Sequence, residues 1–335
     1  MRKQVLIIFQ FIVLVTTGFA QITKHGGDSN ADLTTNIVEA GESGSTIRVG
    51  YTISDDSTSL RSYIAKFDVN ENPVWQKNYR GFPVLRDWNQ FHDLIKTFDG
   101  NYLVTGEIGS LTERHLFVAK FDENGNLIWS TEYGKPTSSA GVEVVERSVN
   151  GVRSYLVTGY EETADRGKEI LTLIFNQSGE LLSGRMIGST FDDVGTGIDW
   201  NKNFNLSDFS ICGTTNLSGT QDVFYLNLED STHTNPVIFD GGADDEAVDF
   251  TVRQSFENSD VLIGVNTTSF GPGDYNMALI VTKSELDFGS TNSYAFLSSE
   301  EEKMFNFRLG YISGYYRDTV SGLRHGIQLI QTNVN

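Results

Sequence analysis

Short apolar strands separated by polar turns recur along the chain from residue 21 onward. The stretch "YIAKFDVNENPVWQKNY" begins at residue 63, and "FVAKFDENGNLIWSTEY" repeats its pattern 54 residues later. Alternating or wholly apolar runs between Gly- and Asn-containing turns predict strands and hairpins, including turns at 99–101 and 123–126. No stretch has the periodicity of an amphipathic helix. The pattern therefore predicts an all-β chain.

A second marker, an apolar strand that runs into a glycine, divides the chain into units. Its glycines are spaced by 50 to 56 residues: Gly50, Gly106, Gly159, Gly213, Gly264 and Gly314. A fixed period of this length indicates a repeat architecture, and four short strands in about 52 residues match one blade of a β-propeller. We predict six blades with boundaries near 33, 89, 140, 193, 246 and 302.

The two ends of the chain favour a closed propeller over an open β-solenoid. The last unit stops at "GIQLIQTNVN", before a fourth strand, whereas "QITKHGGDSNAD" at 21–32 offers an additional one. An open solenoid is capped at its ends and needs no such match, and closure removes exposed sheet edges. We expect residues 21–335 to form one six-bladed propeller, closed by pairing of N- and C-terminal strands, with residues 21–32 completing the last blade.

The first twenty residues have the pattern of a signal peptide. A basic start, an 11-residue apolar run and small residues before Gln21 predict cleavage after Ala20 and a secreted or periplasmic protein. The apolar run is shorter than the ~20 residues that span a bilayer, so we expect no integral membrane segment. The formal net charge of -19 argues against nucleic-acid binding.

The phrase A-K-F-D-x-N-G-x-x-x-W followed by Y-G, with "YLVTG" in the preceding half, resembles the repeats of secreted bacterial β-propeller proteins. Only the first three units carry this wording clearly. The resemblance implies a propeller that is exported to the bacterial cell envelope or beyond. It carries over no active site, because such proteins share no catalytic residue set.

Polar residues at the start of each inner strand are the candidate ligand-binding positions. Aligning the units gives Asp32, Asn89, Ser139, Asp193, Asp245 and Glu301, and four residues later Asn36, Asp93, Glu143, Gly197, Asp249 and Phe305. Inner strands line the channel of a propeller, so these side chains could form rings that hold a cation or a sugar. The alternative is that they bind the amides of their own turns. Among the loop aromatics, Trp88 and Tyr275 are further candidates for sugar stacking.

Other motifs favour structural roles. The D-x-N-x-N turns at Asp68 and Asp122 lack the Glu that a calcium loop needs at its twelfth position, so hairpin hydrogen bonds explain them better. Trp75 and Trp129 are expected to pack between blades. The five histidines have no zinc spacing, and Cys212, the only cysteine, is expected to be buried and inert.

The sequence thus favours an exported, non-catalytic binding or scaffold propeller that recognises a protein or a glycan through loops on one face. No cofactor is expected, with calcium left open as an alternative and metal ligands unassigned. The alternative function is a carbohydrate-active hydrolase or lyase with carboxylates at the channel mouth, about 5–10 Å apart as acid–base hydrolysis requires.

Overall fold

The computed structural model describes residues 32–40, 44–53, 59–80, 86–134, 137–200, 209–228, 236–254, 259–269, 276–283, 292–295, 302–308, 311–317 and 324–330. These residues form 23 strands and no helix, which confirms the all-β prediction. The strands are β1 (Asp32–Glu39), β2 (Thr46–Ile53), β3 (Leu60–Phe67), β4 (Pro73–Tyr79), β5 (Trp88–Lys96), β6 (Tyr102–Gly109), β7 (Arg114–Phe121), β8 (Leu127–Tyr133), β9 (Ser139–Val149), β10 (Val152–Thr163), β11 (Gly167–Asn176), β12 (Leu181–Ile187), β13 (Asp193–Trp200), β14 (Phe209–Thr215), β15 (Asp222–Leu228), β16 (Val237–Phe239), β17 (Asp245–Gln254), β18 (Ser259–Thr267), β19 (Asn276–Lys283), β20 (Asn292–Ala295), β21 (Glu302–Arg308), β22 (Tyr311–Arg317) and β23 (Arg324–Ile330).

The strands form successive antiparallel meanders. Each group of four, from β1–β4 to β17–β20, pairs in sequence order, and β21–β23 form a three-stranded meander. A single parallel pair, Leu60 with Trp88, joins the first two meanders into one sheet. Residues 1–20 (the predicted signal peptide) and 21–31 lie outside the described residues, as do Tyr275 and Glu301, and so does the side chain of Asp32. No helix long and apolar enough to cross a membrane occurs among the described residues.

The first strands of the meanders lie next to one another in series. β1 contacts β5, β5 contacts β9, β9 contacts β13, β13 contacts β17, and β17 contacts β21. The predicted boundaries fall within one residue of the starts of these strands. The apolar core lies between neighbouring meanders: Tyr79 of β4 and Phe91 of β5 both stack on Phe117 of β7, with ring centroids 5.7 and 5.4 Å away. Stability therefore comes from sheet-to-sheet packing, and Cys212 is buried as expected.

A β-bulge in every first strand explains the marker glycines. The register shifts by one residue at the same place in β1, β5, β9, β13, β17 and β21, and the extra residues are Thr35, His92, Val142, Thr196, Val248 and Phe305. The bulge pushes the backbone towards the second strand, so a Cβ on Gly106 would lie 1.9 Å from the carbonyl oxygen of Gln90. Gly159 and Gly213 meet the same obstacle at 1.9 and 2.0 Å. Only glycine fits opposite the bulge in these three meanders.

The repeated hairpin has the structural role that the sequence predicts. Oδ1 of Asp122 accepts hydrogen bonds from the backbone N–H of Asn124 and Asn126 at 2.9 and 2.7 Å, and Asp68 does the same in the first meander. The hairpins of the second and third meanders also receive the tryptophan of the preceding meander: the Trp75 ring covers Gly125, and the Trp129 ring covers Gly179. Packing of these tryptophans between meanders is confirmed.

Candidate functional site

Of the residues predicted at the strand starts, Asn89 and Asp193 bind the turns that precede their own strands, and Asp245 binds a residue that follows the neighbouring strand β18. Oδ2 of Asp193 accepts hydrogen bonds from the Ser189 N–H at 2.6 Å and the Ser189 hydroxyl at 2.9 Å. Oδ2 of Asp245 accepts one from the Ser269 hydroxyl at 2.9 Å. The Asn89 amide donates to the carbonyl of Arg86 at 2.8 Å. All three side chains are buried. These contacts are those of turn-forming residues, and their role in ligand binding stays a prediction.

Burial raises the pKa of the Asp245 carboxyl, although the hydroxyl groups of Thr267 and Ser269 counteract the shift. Asp245 is fully buried, and the charge of Asp222 adds to the rise. A buried carboxylate that is not matched by a cation disfavours ionisation. Asp245 is therefore a structural group whose protonation is linked to folding.

The carboxylates that follow the bulges bind the backbone of first strands. Oδ2 of Asp93 in β5 accepts the N–H of Val144 in β9 at 2.9 Å, and its Oδ1 accepts from the Asn36 amide of β1. Glu143 in β9 accepts the N–H of Ile198 in β13 at 2.5 Å. Asp249 accepts the N–H of its neighbour Phe250 at 2.6 Å. Asp93 and Glu143 thus link successive first strands.

Trp88 is held by protein contacts at the start of β5. Its indole N–H donates to Glu107 at 2.7 Å, and the Arg114 guanidinium lies 4.3 Å from the ring centroid while it pairs with Glu107 at 3.2 Å. Because the Arg114 guanidinium covers one face of the Trp88 ring, less of that ring is left for stacking on a sugar.

Glu107 also acts on a neighbouring tyrosine: burial and the charge of Glu107 raise the pKa of Tyr160 to about 12.

A cleft of about 330 Å³ lies at the opposite ends of the first strands. It is formed by the last residues of β5, β9 and β13 and by the turn after β5: Ile95, Lys96, Thr97, Phe98, Val145, Glu146, Asp199 and Trp200. The volume is at the lower end of the range for small-ligand sites. Phe98 is 62% exposed, and Lys96 is also exposed. The cleft brings together two carboxyl groups, two aromatic rings and a lysine, the residue types of a sugar-binding site.

Glu146 has the most perturbed environment in this cleft. Burial raises the pKa of its carboxyl, while the Phe98 N–H at 2.6 Å from Oε2 and the charge of Arg153 counteract the shift. Its other oxygen, Oε1, is buried and has no hydrogen-bond partner among the described residues. Desolvation without a partner disfavours the charged form, so the environment favours the protonated acid.

An ion pair between the buried Lys120 and the partly exposed Asp99 fixes the turn that holds Glu146. The Lys120 ammonium donates to Asp99 at 2.6 Å and to the Tyr155 hydroxyl at 2.7 Å, and Thr97 donates to Asp99 at 2.5 Å. Although burial opposes it, these hydrogen bonds hold the pKa of Asp99 well below its usual range. Both charges persist, and the turn keeps the Phe98 N–H directed at Glu146.

The cleft lies away from the predicted ligand-binding positions at the starts of the inner strands, so it was not predicted from the sequence. Glu146 and Asp199 lie near the ends of β9 and β13, beyond the bulges. The signal that could have found them is an acid close to the end of an inner strand, here "EVVERS" and "GIDW". Among the residues with described positions, no three His, Cys, Asp or Glu side chains are grouped to hold a metal ion.

Comparisons with known proteins identify similar structures. No protein-family model and no curated protein sequence matches the chain. The fold is similar to the polysaccharide lyase Uly1, with a TM-score of 0.52, 10% identity and coverage of 91% of this chain and 78% of the lyase. The alignment with an α-L-arabinofuranosidase of Fusarium graminearum in complex with arabinobiose covers 70% of this chain and 79% of that enzyme, at 12% identity and a TM-score of 0.45. The alignment with an endo-arabinase of Bacteroides thetaiotaomicron covers 72% of this chain and 93% of that enzyme, at 10% identity and a TM-score of 0.39. At these identities the likeness extends to the fold, which is that of a β-propeller.

The prediction of a non-catalytic binding or scaffold propeller is wrong. A solved structure that shares the fold over 91% of the chain is a polysaccharide lyase. The physical reason for the error is that the sequence singled out no carboxylate pair, whereas folding brings Glu146 and Asp199 into one cleft. The alternative of a carbohydrate-active protein fits better.

Proposed function

We propose that this protein is a carbohydrate-active enzyme, a glycoside hydrolase that works in the Glu146 cleft. The observation that carries the proposal is Glu146 itself: a carboxyl group with a raised pKa and an unpaired, buried oxygen, in a cleft that also holds Asp199. A general acid must be protonated near the working pH, and enzymes raise a carboxyl pKa by burial to achieve this. Glu146 is thus the proposed general acid.

Asp199 is the second carboxylate that glycoside hydrolysis needs. It lies on β13 and lines the same cleft as Glu146 of β9, and Trp200 follows it in that cleft. In the proposed reaction Glu146 donates its proton to the glycosidic oxygen as the C–O bond breaks. Asp199 accepts a proton from a water molecule as the oxygen of that water bonds to the anomeric carbon and supplies the new hydroxyl group. Phe98 and Trp200 offer aromatic surface for the sugar rings.

Substitution of the two carboxyl groups tests the assignment. Glu146→Gln keeps the acceptor for the Phe98 N–H but removes the acidic proton, and we expect turnover to fall by about 10²–10⁴-fold. Asp199→Asn is expected to have a comparable effect, whereas Glu123→Gln, on an exposed hairpin, serves as the matched control. The assay measures reducing ends released from a panel of plant, algal and bacterial polysaccharides. Unchanged release by Glu146→Gln would remove the carboxyl from the mechanism.

The products distinguish hydrolysis from elimination. A lyase forms an unsaturated sugar that absorbs ultraviolet light, while a hydrolase releases reducing ends without that absorbance. We expect activity to decline as the pH rises through the raised pKa of Glu146, because the general acid is then ionised. An unsaturated product would identify a lyase, and an activity that rises over that range would contradict a protonated Glu146.

The proposal includes six blades in a closed ring. It is supported by five four-stranded meanders followed by three strands, β21–β23, and by the serial contacts of the first strands. Residues 21–32 then supply the missing strand. Deletion of residues 21–31 is expected to lower the unfolding midpoint clearly, because it opens the ring. Retention of full stability would refute closure.

Export is proposed as well. It is supported by the signal-peptide pattern of residues 1–20 and by the resemblance to secreted bacterial repeat proteins. The test is expression of the full chain in a bacterial host, followed by N-terminal sequencing of the periplasmic and secreted fractions. A mature N-terminus at Gln21 is expected, and recovery of the uncleaved chain in the cytoplasm alone would refute the proposal.

A further inference from the structure

The Glu146 cleft has positive charge at its rim although the protein is strongly acidic. Lys96, at the end of β5, is exposed and has no ion pair among the described residues. Arg153 of β10 places its guanidinium carbon 5.2 Å from the ring centroid of Phe98 and also lacks an ion pair within the described part of the chain. Several other cations are neutralised by an Asp or Glu, namely Arg48, Arg86, Arg114, Lys120 and Arg166. Two cations at one cleft are therefore available for a ligand.

We propose that the polymer bound in this cleft is an acidic polysaccharide, whose uronate carboxylates pair with Lys96 and Arg153 while its rings stack on Phe98 and Trp200. This inference rests on the proposed function, since it names the substrate class of the same site.

The charge balance of the cleft supports an anionic ligand. Burial keeps Glu146 towards its neutral form, and Lys120 cancels the charge of Asp99 behind it. Lys96 and Arg153 then place two positive charges at the rim, beside the carboxyl groups of Glu146 and Asp199. A protein with a net charge of -19 repels a polyanion at long range, so such a ligand needs local cations where it binds. A neutral polymer would need none.

The exposed aromatic ring makes the arrangement suitable for a sugar acid. Phe98 is 62% exposed, and its neighbour Arg153 lies within cation–π distance of its ring. A pyranose ring can stack on the free face of Phe98 while a carboxylate on that ring reaches the guanidinium beside it. Arginine suits this role because its planar donors match a carboxylate.

Pairs of polymers that differ only in charge test the inference. We would measure affinity electrophoresis of the full protein in gels with polygalacturonate, alginate or hyaluronan, each against its methyl ester. At least one acid polymer is expected to retard the protein about tenfold more strongly than its ester, consistent with two partly screened contacts. Added salt should reduce the difference. The double variant Lys96→Met/Arg153→Met should lose the preference, whereas Arg61→Met, an exposed cation on β3, should keep it.

The outcomes separate this inference from the proposed function. Equal retardation by every acid polymer and its ester, or a preference that survives the double variant, would overturn the acidic substrate. Glu146-dependent cleavage of a neutral polymer in that case would leave the hydrolase standing. Conversely, charge-dependent binding without any cleavage would support the acidic ligand and refute the enzyme.

Discussion

The contact between Trp75 and Gly125 can be measured separately from the strain of the turn that contains it. Gly100 and Gly125 occupy the same position in two hairpins, with φ of 83° and 71°, and their N–H groups bind the carbonyls of Thr97 and Asp122 at 2.9 Å in both. A Cβ on Gly100 would meet nothing within 4 Å, whereas a Cβ on Gly125 would lie 2.6 Å from the Trp75 ring. Gly100→Ala is thus the matched control.

The expected magnitudes follow from these two environments. Alanine in the left-handed region costs about 1 kcal/mol, so Gly100→Ala should lower the free energy of unfolding by that amount. Gly125→Ala carries the same strain and also displaces the indole ring by about 1 Å to restore van der Waals contact, which adds about 1–2 kcal/mol. We therefore expect a total cost of about 2–3 kcal/mol.

Urea unfolding followed by circular dichroism checks the prediction, with Trp75→Ala closing a double-mutant cycle. In the Trp75→Ala background, Gly125→Ala should cost only about 1 kcal/mol, like Gly100→Ala, because no ring remains to be displaced. An equal cost of the two alanine variants in the wild-type background would refute the packing argument. So would a cost of Gly125→Ala that is unchanged by removal of the tryptophan.

Three further substitutions test the fold and its charges by urea unfolding. Gly106→Ala should lower the free energy of unfolding by about 3 kcal/mol or more, because the new Cβ would collide with a backbone oxygen. Gly134→Ala is the control and should change that free energy little, because the nearest atom to its Cβ would be 3.4 Å away. Similar values for the two variants would refute the bulge explanation. Lys120→Met should lower the free energy of unfolding by about 2 kcal/mol, which is less than the loss for a fully buried ion pair because Asp99 is partly exposed. Adding Asp99→Asn to this variant should restore part of the lost stability, because no unpaired carboxylate then remains. Asp245 has a raised pKa when folded, so its contribution to stability is full below its ordinary pKa of 3.8 and is lost as the pH rises through the folded value. Asp245→Asn should remove that pH dependence, and an unchanged dependence would contradict it.

The strands and hairpins could be predicted because their signals are local. Most of the described residues with positive φ are glycine, Asn150 and Glu71 being the others, and an Asp that binds two amides of its own hairpin needs no distant partner, as Asp122 illustrates. Each marker glycine lies on the second strand of a meander. Their cause could not be predicted, because the bulges opposite them carry side chains as different as those of His92 and Val142.

The cleft could not be predicted because it depends on distant strands. Glu146 sits in a strand whose acidic residues look like an ordinary solvated edge, and only the ends of β5, β9 and β13 together turn it into a half-buried acid. Asp193 and Asp245, by contrast, looked like ligand-binding residues in the sequence, because their regular spacing suggested a ring of ligands. Asp193 instead binds Ser189, four residues earlier, and Asp245 binds Ser269, which follows the neighbouring strand β18.

The contact of Trp75 and Trp129 with the hairpin of the following meander has a consequence for how such a chain can gain or lose a meander. Trp75 covers Gly125, and Trp129 covers Gly179, so the joint between two meanders is the same on either side of the second one. A duplication or loss of the second meander would bring a tryptophan against an equivalent glycine and keep this contact. Recombination at another spacing would remove the tryptophan–glycine contact between adjacent meanders. This contact therefore limits the gene rearrangements after which the protein can still fold.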